Sequence, residues 1–342
     1  KISLVKDMDD AYHITRPIIT ESDDEEYKTV FSDSIMLNVS RGCTRGCRFC
    51  MSSYLYRPLR ETNINKLIDI AIKTRENTGL NKITLIGAAV SDYSKIETLI
   101  KKLEQKNFLI STPSLRIESI TYESLKLLKE SGLKTITLAP ESIDPLRKRI
   151  NKDIPDEKIF SLIENAVKLD FNIKLYFLIG LPYETMDDIK CLCKYIEKIA
   201  EMHTSRHKIK FSINPVVPKP HTPMQWMSYD FKDIKRKSKY IKKNLRKYSI
   251  KIESPKKALI QYILSCGNSE VSEIIERSLT RDVNIHEWMG YLPEYGIDDE
   301  LPWDGIDVGV KKEFLKIEYK RLETKKQTPW CNNSTCYNCG SC

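Results

Sequence analysis

Nowhere does the chain run to the roughly 18 consecutive apolar residues that a membrane helix needs, so membrane insertion is not expected. Its first residues are polar and carry no signal-peptide pattern. No internal repeat is visible. An initiator methionine is missing too: the sequence opens on Lys1 and reads as a fragment or a processed form. Charge of one sign is scarce. The 56 basic residues exceed the 47 acidic ones only enough for a net +9, too small a surplus to imply nucleic-acid binding by itself. The excess is local, in the Lys- and Arg-rich run 232–257. That run is either a solvated helix face or a docking strip for an acidic partner: RNA, an acidic protein or an electron donor.

What is present is a hydrophobic fraction of 41% over 342 residues, enough for one large α/β domain with an appendage. Ten cysteines are present, three in one short loop and four in the last twelve residues. Two tight clusters in a large, lysine-rich chain read as metal binding in a reducing cytoplasm rather than as a disulfide framework.

Residues 1–34, with Pro17 and an acidic run at 23–26, lack periodicity and read as a linker or lead-in. Strand-like apolar runs follow near 35–39, 82–86, 108–112, 134–138, 173–179 and 209–213. Helical stripes lie between them. Tyr122, Leu125 and Leu128 share a face ahead of a capping Gly132, and Ile189, Leu192, Cys193, Ile196 and Ile199 form another. Alternation of this kind predicts an α/β fold, a partial (β/α)6 barrel over 35–228. Its chemistry should lie on the loops after the strands. A helical extension over 229–328 and a Cys-rich tail over 329–342 complete the expected organisation.

The first strand runs into NVSRGCTRGCRFC (38–50), where Cys43, Cys47 and Cys50 have the spacing C-x3-C-x2-C. Thiolates hold iron–sulfur clusters, and three ligands on a [4Fe–4S] cube leave one iron open to an exogenous chelator. Gly42 and Gly46 allow a tight turn around such a bulky group. A zinc site short of its fourth ligand is the bland alternative. This spacing, with Phe49 before the last cysteine and directly after a first strand, resembles the radical S-adenosylmethionine (SAM) superfamily. The resemblance implies that the open iron binds the amino and carboxylate groups of SAM. It further implies that one electron, from a flavodoxin- or ferredoxin-type donor, breaks SAM to a 5′-deoxyadenosyl radical.

The resemblance extends along the chain and implies a SAM site. Gly87 and Ala88 stand where the family has a Gly-Gly-Glu stretch, here without the Glu. Ser114, Arg116 and Glu118 alternate with apolar residues and share a face if extended, either toward the active site or as a simple ion pair. In LAPES and LRKRINK (138–152), Glu141 would hydrogen-bond SAM. Arg147 would pair with the SAM carboxylate unless it is a surface residue. IGLPYET (179–185) would bring the backbone of Gly180 and Leu181 to adenine. His221, on the loop after the sixth strand, would contact substrate or donate a proton, or else be structural; Cys191 and Cys193, two apart on one helix, do not face each other, and Cys193 and Cys266 read as structural.

Cys331, Cys336, Cys339 and Cys342 give C-x4-C-x2-C-x2-C, a set for a second iron–sulfur cluster or for zinc. With LPWDGIDVGVKKEFLKIEY (301–319), this tail resembles a radical SAM subgroup that often has a cobalamin-binding-type domain upstream. That resemblance implies such a domain before Lys1 and cobalamin-dependent C-methylation, with a protein or peptide favoured as substrate. Cobalamin-independent RNA modification is the second reading, and a non-enzymatic iron–sulfur electron carrier or scaffold the third.

Overall fold

The computed structural model describes residues 4–19, 26, 31, 33–113, 115–203, 208–331 and 336–341. Ser114, Cys342 and residues 23–25 of the acidic run therefore lie outside the described residues.

The first unit contains strands β1 (Ile35–Asn38), β2 (Ser40–Arg41) and β3 (Arg60–Glu61), with the one-turn helix α1 (Ser52–Leu55) between β2 and β3. Helix α2 (Ile64–Thr78) leads to β4 (Lys82–Ile86), and α3 (Ile96–Glu104) to β5 (Leu109–Ser111). Then come α4 (Tyr122–Glu130), β6 (Thr135–Glu141), α5 (Asp144–Arg149), α6 (Asp156–Lys168) and β7 (Asn172–Ile179). Next are α7 (Met186–Ala200), β8 (Ile209–Pro215), α8 (Phe231–Asn244) and β9 (Ile250–Ile252). Helices α9 (Pro255–Cys266), α10 (Val271–Thr280), α11 (Ile285–Met289) and α12 (Lys312–Thr324) complete the chain.

The six expected strands are β1, β4, β5, β6, β7 and β8, all parallel to their neighbours. They form two arcs, β1-β4-β5 and β6-β7-β8-β9, joined where the Leu115 amide donates to the Thr137 carbonyl at 2.9 Å. One face of these strands is sealed, with Ile83, Leu85, Leu175, Phe177 and Ile213 all inaccessible to solvent, while the alternate residues of β7 are half-buried. The stripe of α7 closes over them through Ile189, Leu192, Ile196 and Ile199, all at 0% exposure. Thr185 starts that helix with a capping box to Asp188.

Two features depart from the expected pattern. The region after 229 is not purely helical, because β9 adds a seventh parallel strand beside β8. It is short and lies within the basic run, so its Ile-Lys-Ile alternation was masked by the surrounding lysines. The lead-in is also tied down. Asp9 accepts the Asn63 amide at 2.7 Å, and Arg60 donates to the Val5 carbonyl at 2.6 Å. One apolar core runs from β1 through the barrel to Trp303, Phe314 and Cys339. No helix among the described residues is long and apolar enough to cross a membrane.

Candidate active site

The loop after β1 and β2 turns on Gly42. Its φ is +91°, and a β-carbon there would stand 2.4 Å from the Tyr56 carbonyl oxygen, so no other residue fits without displacing backbone. Beyond the turn, Cys43 and Cys47 are buried and Cys50 is partly exposed. The loop is fixed by distant groups. Asn151, after α5, donates to the carbonyls of Arg45 at 3.1 Å and Gly46 at 3.3 Å, and the Arg48 amide donates to Ile150 at 3.0 Å. The Arg48 guanidinium, fully buried, meets Glu318 of α12 at 3.0 Å.

Burial pushes the thiols of Cys47 and Cys50 up, for Cys47 against the pull of Arg116. Buried thiols keep their protons until a metal replaces them. Among the described residues, no three His, Cys, Asp or Glu side chains close on a single ion. Ligands of a four-iron cube grip its corners and stand wider than that.

Beside Cys47 opens a cavity of about 400 Å³, lined by Arg45, Arg116, Glu118 and Lys152 on the barrel side and by Pro329 and Trp330 on the other. The Arg116 guanidinium lies 4.0 Å from the Cys47 sulfur and 3.2 Å from Glu118. Arg45 grips Asp92 with two hydrogen bonds, at 2.8 and 2.6 Å, and stacks on the Trp330 ring at 3.4 Å. Among the described residues, three buried polar atoms of the lining have no hydrogen-bond partner, Arg45 Nη1, Arg116 Nε and Glu118 Oε2; of these, Arg45 Nη1 lies 3.9 Å from Glu118 and Arg116 Nε 3.8 Å from Asp92 as ion pairs. Unpaired buried polar atoms are costly. Donors and an acceptor without hydrogen-bond partners, on residues that line one charged cavity, fit a ligand with both an ammonium and a carboxylate. The three loop thiols and these orphaned groups thus fit a cluster with SAM beside it.

Residues 37–196 match the family model described as the Radical SAM superfamily. The chain carries a radical SAM domain. An uncharacterized protein of Methanocaldococcus jannaschii is 32% identical over 84% of this chain. A tRNA-2-methylthio-N(6)-dimethylallyladenosine synthase of Ehrlichia canis is 26% identical over 62% of it. A cytidylyl-2-hydroxyethylphosphonate methyltransferase of Streptomyces wedmorensis is 25% identical over 55%. The chain spans 65%, 52% and 37% of these relatives' own lengths, respectively.

Within this radical SAM domain the expected site residues have different fates. Arg116 and Glu118 pair with each other and line the cavity, on a turn rather than an extended stretch. Glu141 is buried at a positive φ of 68° and holds Lys152, a cavity residue, at 2.7 Å. Gly87 closes on Ser40, to which an added β-carbon would come within 2.9 Å, while Ala88 is exposed. Phe49 and Leu181, 132 positions apart in sequence, pack in one small apolar cluster with Val216 and Met224 at the strand ends.

Two expected residues stand away from this cavity. Arg147 does not reach the cavity. It is wholly buried and points into its own turn, where its three nitrogens donate to the carbonyls of Ser142 and Ile154 and to Asp156. His221, at a φ of +56°, donates its amide to Gln225 at 3.0 Å. Burial lowers its pKa against the pull of Asp304, and it does not line the cavity beside Cys47. The amide of Gly180 is also occupied, by Glu184 at 2.7 Å. Glu184 is itself sealed in by Lys237 at 2.9 Å. Arg45, Asp92 and Lys152 were missed from the sequence. Arg45 lies inside the cysteine motif and Lys152 inside LRKRINK, so proximity to recognised motifs was the available signal.

Proposed function

We propose that this protein holds a [4Fe–4S] cluster on Cys43, Cys47 and Cys50 and cleaves SAM reductively in the cavity beside Cys47. The observation carrying this reading is a pair of buried atoms without hydrogen-bond partners among the described residues, Arg116 Nε and Glu118 Oε2, on residues that line that cavity. Bound there, cluster and SAM together supply one-electron cleavage of the S–C5′ bond and a 5′-deoxyadenosyl radical that removes a substrate hydrogen. The chain's own residues position and shield. Arg116 and Lys152 take the carboxylate, as charge-assisted donors. Glu118 accepts from the ammonium. The Arg45–Asp92 pair keeps Arg116 in place, with Asp92 3.8 Å from its Nε. Phe49 and Leu181 offer adenine an apolar surface, and Trp330 walls off water.

The test is anaerobic reconstitution with iron and sulfide, followed by SAM and a strong reductant. Liquid chromatography with mass detection should find 5′-deoxyadenosine. The triple variant Cys43→Ala, Cys47→Ala, Cys50→Ala should form none, and persistent cleavage in it overturns the reading.

For the overall reaction we favour methyl transfer to an unactivated carbon of a protein or peptide, with cobalamin as methyl carrier and a flavodoxin- or ferredoxin-type electron donor. The methyltransferase relative and the subgroup resemblance of 138–152 and 301–342 support it. A +14 mass shift in candidate substrates, dependent on added hydroxocobalamin, is the expected result; 5′-deoxyadenosine formation without methylation counts against it. RNA modification is the second reading, favoured by the tRNA-modifying relative and by exposed Lys232, Lys235, Arg236, Lys239, Lys242 and Lys243 on α8. Salt-dependent RNA binding lost on reversing those charges would promote it.

A further inference from the structure

We propose that the open edge of β9, with the groove between it and the end of α8, docks an acidic, extended segment of a partner protein as an added strand. This holds whatever reaction the first site performs.

Among the described residues the sheet ends at β9. Ser249 accepts the Phe211 amide at 2.9 Å, and the Glu253 amide donates to Ile213 at 2.9 Å. In a parallel ladder the two backbone groups of one residue bond the same neighbour, and successive residues alternate sides. Positions 249, 251 and 253 therefore face β8, and Ile250 and Ile252 turn their amides and carbonyls outward. Such a row of backbone groups is a template for another strand. Lys251, at the centre of β9, is exposed. Like charges directly opposite each other on paired strands destabilise, and opposite charges stabilise. This edge thus disfavours a second copy of itself and favours a strand carrying Asp or Glu.

The groove beside this edge is the independent observation. Its volume is about 390 Å³. Its floor is aliphatic: Ile241 and Leu245 are sealed, at 0% and 1% exposure, and Ile250 and Ile252 are half-buried. Lys242 and Arg246 line it and are exposed. Among the described residues, none of Lys242, Lys243, Arg246 and Lys251 has a carboxylate partner, whereas neighbouring Lys247 meets Glu197 at 3.8 Å. The negative end of α8 accounts for cations in its last turn, Lys242 and Lys243, but not for Arg246 and Lys251 beyond it. A single-stranded nucleic acid would need rings on which to stack its bases. The lining offers one, Tyr248, whose hydroxyl donates to Glu201 at 3.5 Å. An aliphatic floor, an open strand edge and unpaired cations together fit a strand with alternate apolar side chains and carboxylates.

The experiment uses the full chain purified without oxygen and a fluorescent peptide of alternating valine and glutamate, read by anisotropy. Saturable binding is expected, with slowed hydrogen exchange at the amides of Ile250 and Ile252. Methylating alternate backbone nitrogens of the peptide leaves its charge intact and should weaken binding about two- to tenfold for each hydrogen bond lost. Lys242→Glu with Arg246→Glu, both at exposed positions, should weaken it about tenfold or more while the circular-dichroism spectrum stays native. Absence of saturable binding overturns the proposal. So does equal affinity for the methylated peptide, which would mean capture by charge alone. Unchanged exchange at Ile250 and Ile252 places the peptide elsewhere and overturns it too. Unchanged affinity in the charge-reversed variant rules out the acidic partner. Displacement of the peptide by an oligouridylate of equal charge that binds more tightly assigns the groove to RNA instead.

Discussion

Replacing Arg48 with Met should destabilise the fold more than any exposed charge removal. Arg48 lies between Cys47 and Cys50 and is completely buried, as is Glu318, at 0% and 1% exposure. It donates to Glu318 at 3.0 Å and to the carbonyls of Arg149 and Lys326 at 2.6 Å each. Methionine fills much of the volume but removes every donor. Glu318 then remains buried with only Arg321 and Thr328, both at 2.6 Å. Removing one partner of a buried pair costs about 3–5 kcal/mol, and the surviving Arg321 contact places this case near the lower end. Removing the exposed Lys190 from its pair with Asp187 should change stability far less, because solvent screens that pair. Urea denaturation without oxygen would read both. The double variant Arg48→Met/Glu318→Met should be less destabilised than the sum of the single variants, because it leaves neither charge of that buried pair without the other, although Arg321 loses its carboxylate in both variants that lack Glu318. A loss below about 1 kcal/mol for Arg48→Met, or strict additivity with Glu318→Met, would refute the reasoning.

Arg116→Met should weaken SAM binding by about 10- to 100-fold, the loss of one charge-assisted bond, and leave the iron content of the first cluster unchanged; equal affinity in equilibrium dialysis removes Arg116 from the site. Stability should fall in acid through Asp92 and Glu118. Burial alone would raise both carboxyls, but Arg45 and Ser119 at Asp92, and Arg116 and Lys152 at Glu118, outweigh it and hold both below their ordinary values. Their contribution is therefore complete above the unfolded values of 3.8 and 4.5 and drains as pH falls below them. Asp92→Asn with Glu118→Gln should flatten the slope of stability against pH in that window, and an unaltered slope contradicts the assignment. Iodoacetamide at pH 8 should alkylate the exposed Cys191 but not Cys193 or Cys266, whose thiols burial pushes up to about 11 and about 12. Peptide mapping that finds Cys266 labelled in the folded chain would count against its burial.

The strands were legible because each is a short, nearly unbroken apolar run, such as Leu175 to Ile179, whose fully buried positions alternate with half-buried ones. The three loop cysteines were legible as candidate cluster ligands because spacing within one loop is a local property. Arg147 was not. Its sequence context offers a cation near a motif, but its direction depends on three acceptors, at Ser142, Ile154 and Asp156, that only the fold of α5 against α6 brings together. The same limit hid Arg45 and Lys152, whose chemistry comes from Asp92 and Glu141, neither adjacent in sequence. Strand β9 failed for another reason: three residues at a sheet edge are too few to show a period inside a lysine run.

The frame of the cluster loop is the most non-local part of the molecule. Arg48 meets Glu318 across 270 positions, and Asn151 takes the Thr328 amide across 177. Closing loops of that length has an entropic cost that grows only slowly with length, so long-range ties of this kind cost little more than short ones. Each tie also satisfies a buried polar group that would otherwise be orphaned. Asn151 does this most fully: one side chain donates to Arg45, Gly46 and Thr328 and accepts from Thr328. A three-cysteine motif therefore names the ligands while the chain's last thirty residues set where they stand. Changes in the segment from Glu318 to Cys331 should accordingly be felt at Cys47 before they are felt in the barrel strands, which α7 and the continuous apolar core already hold.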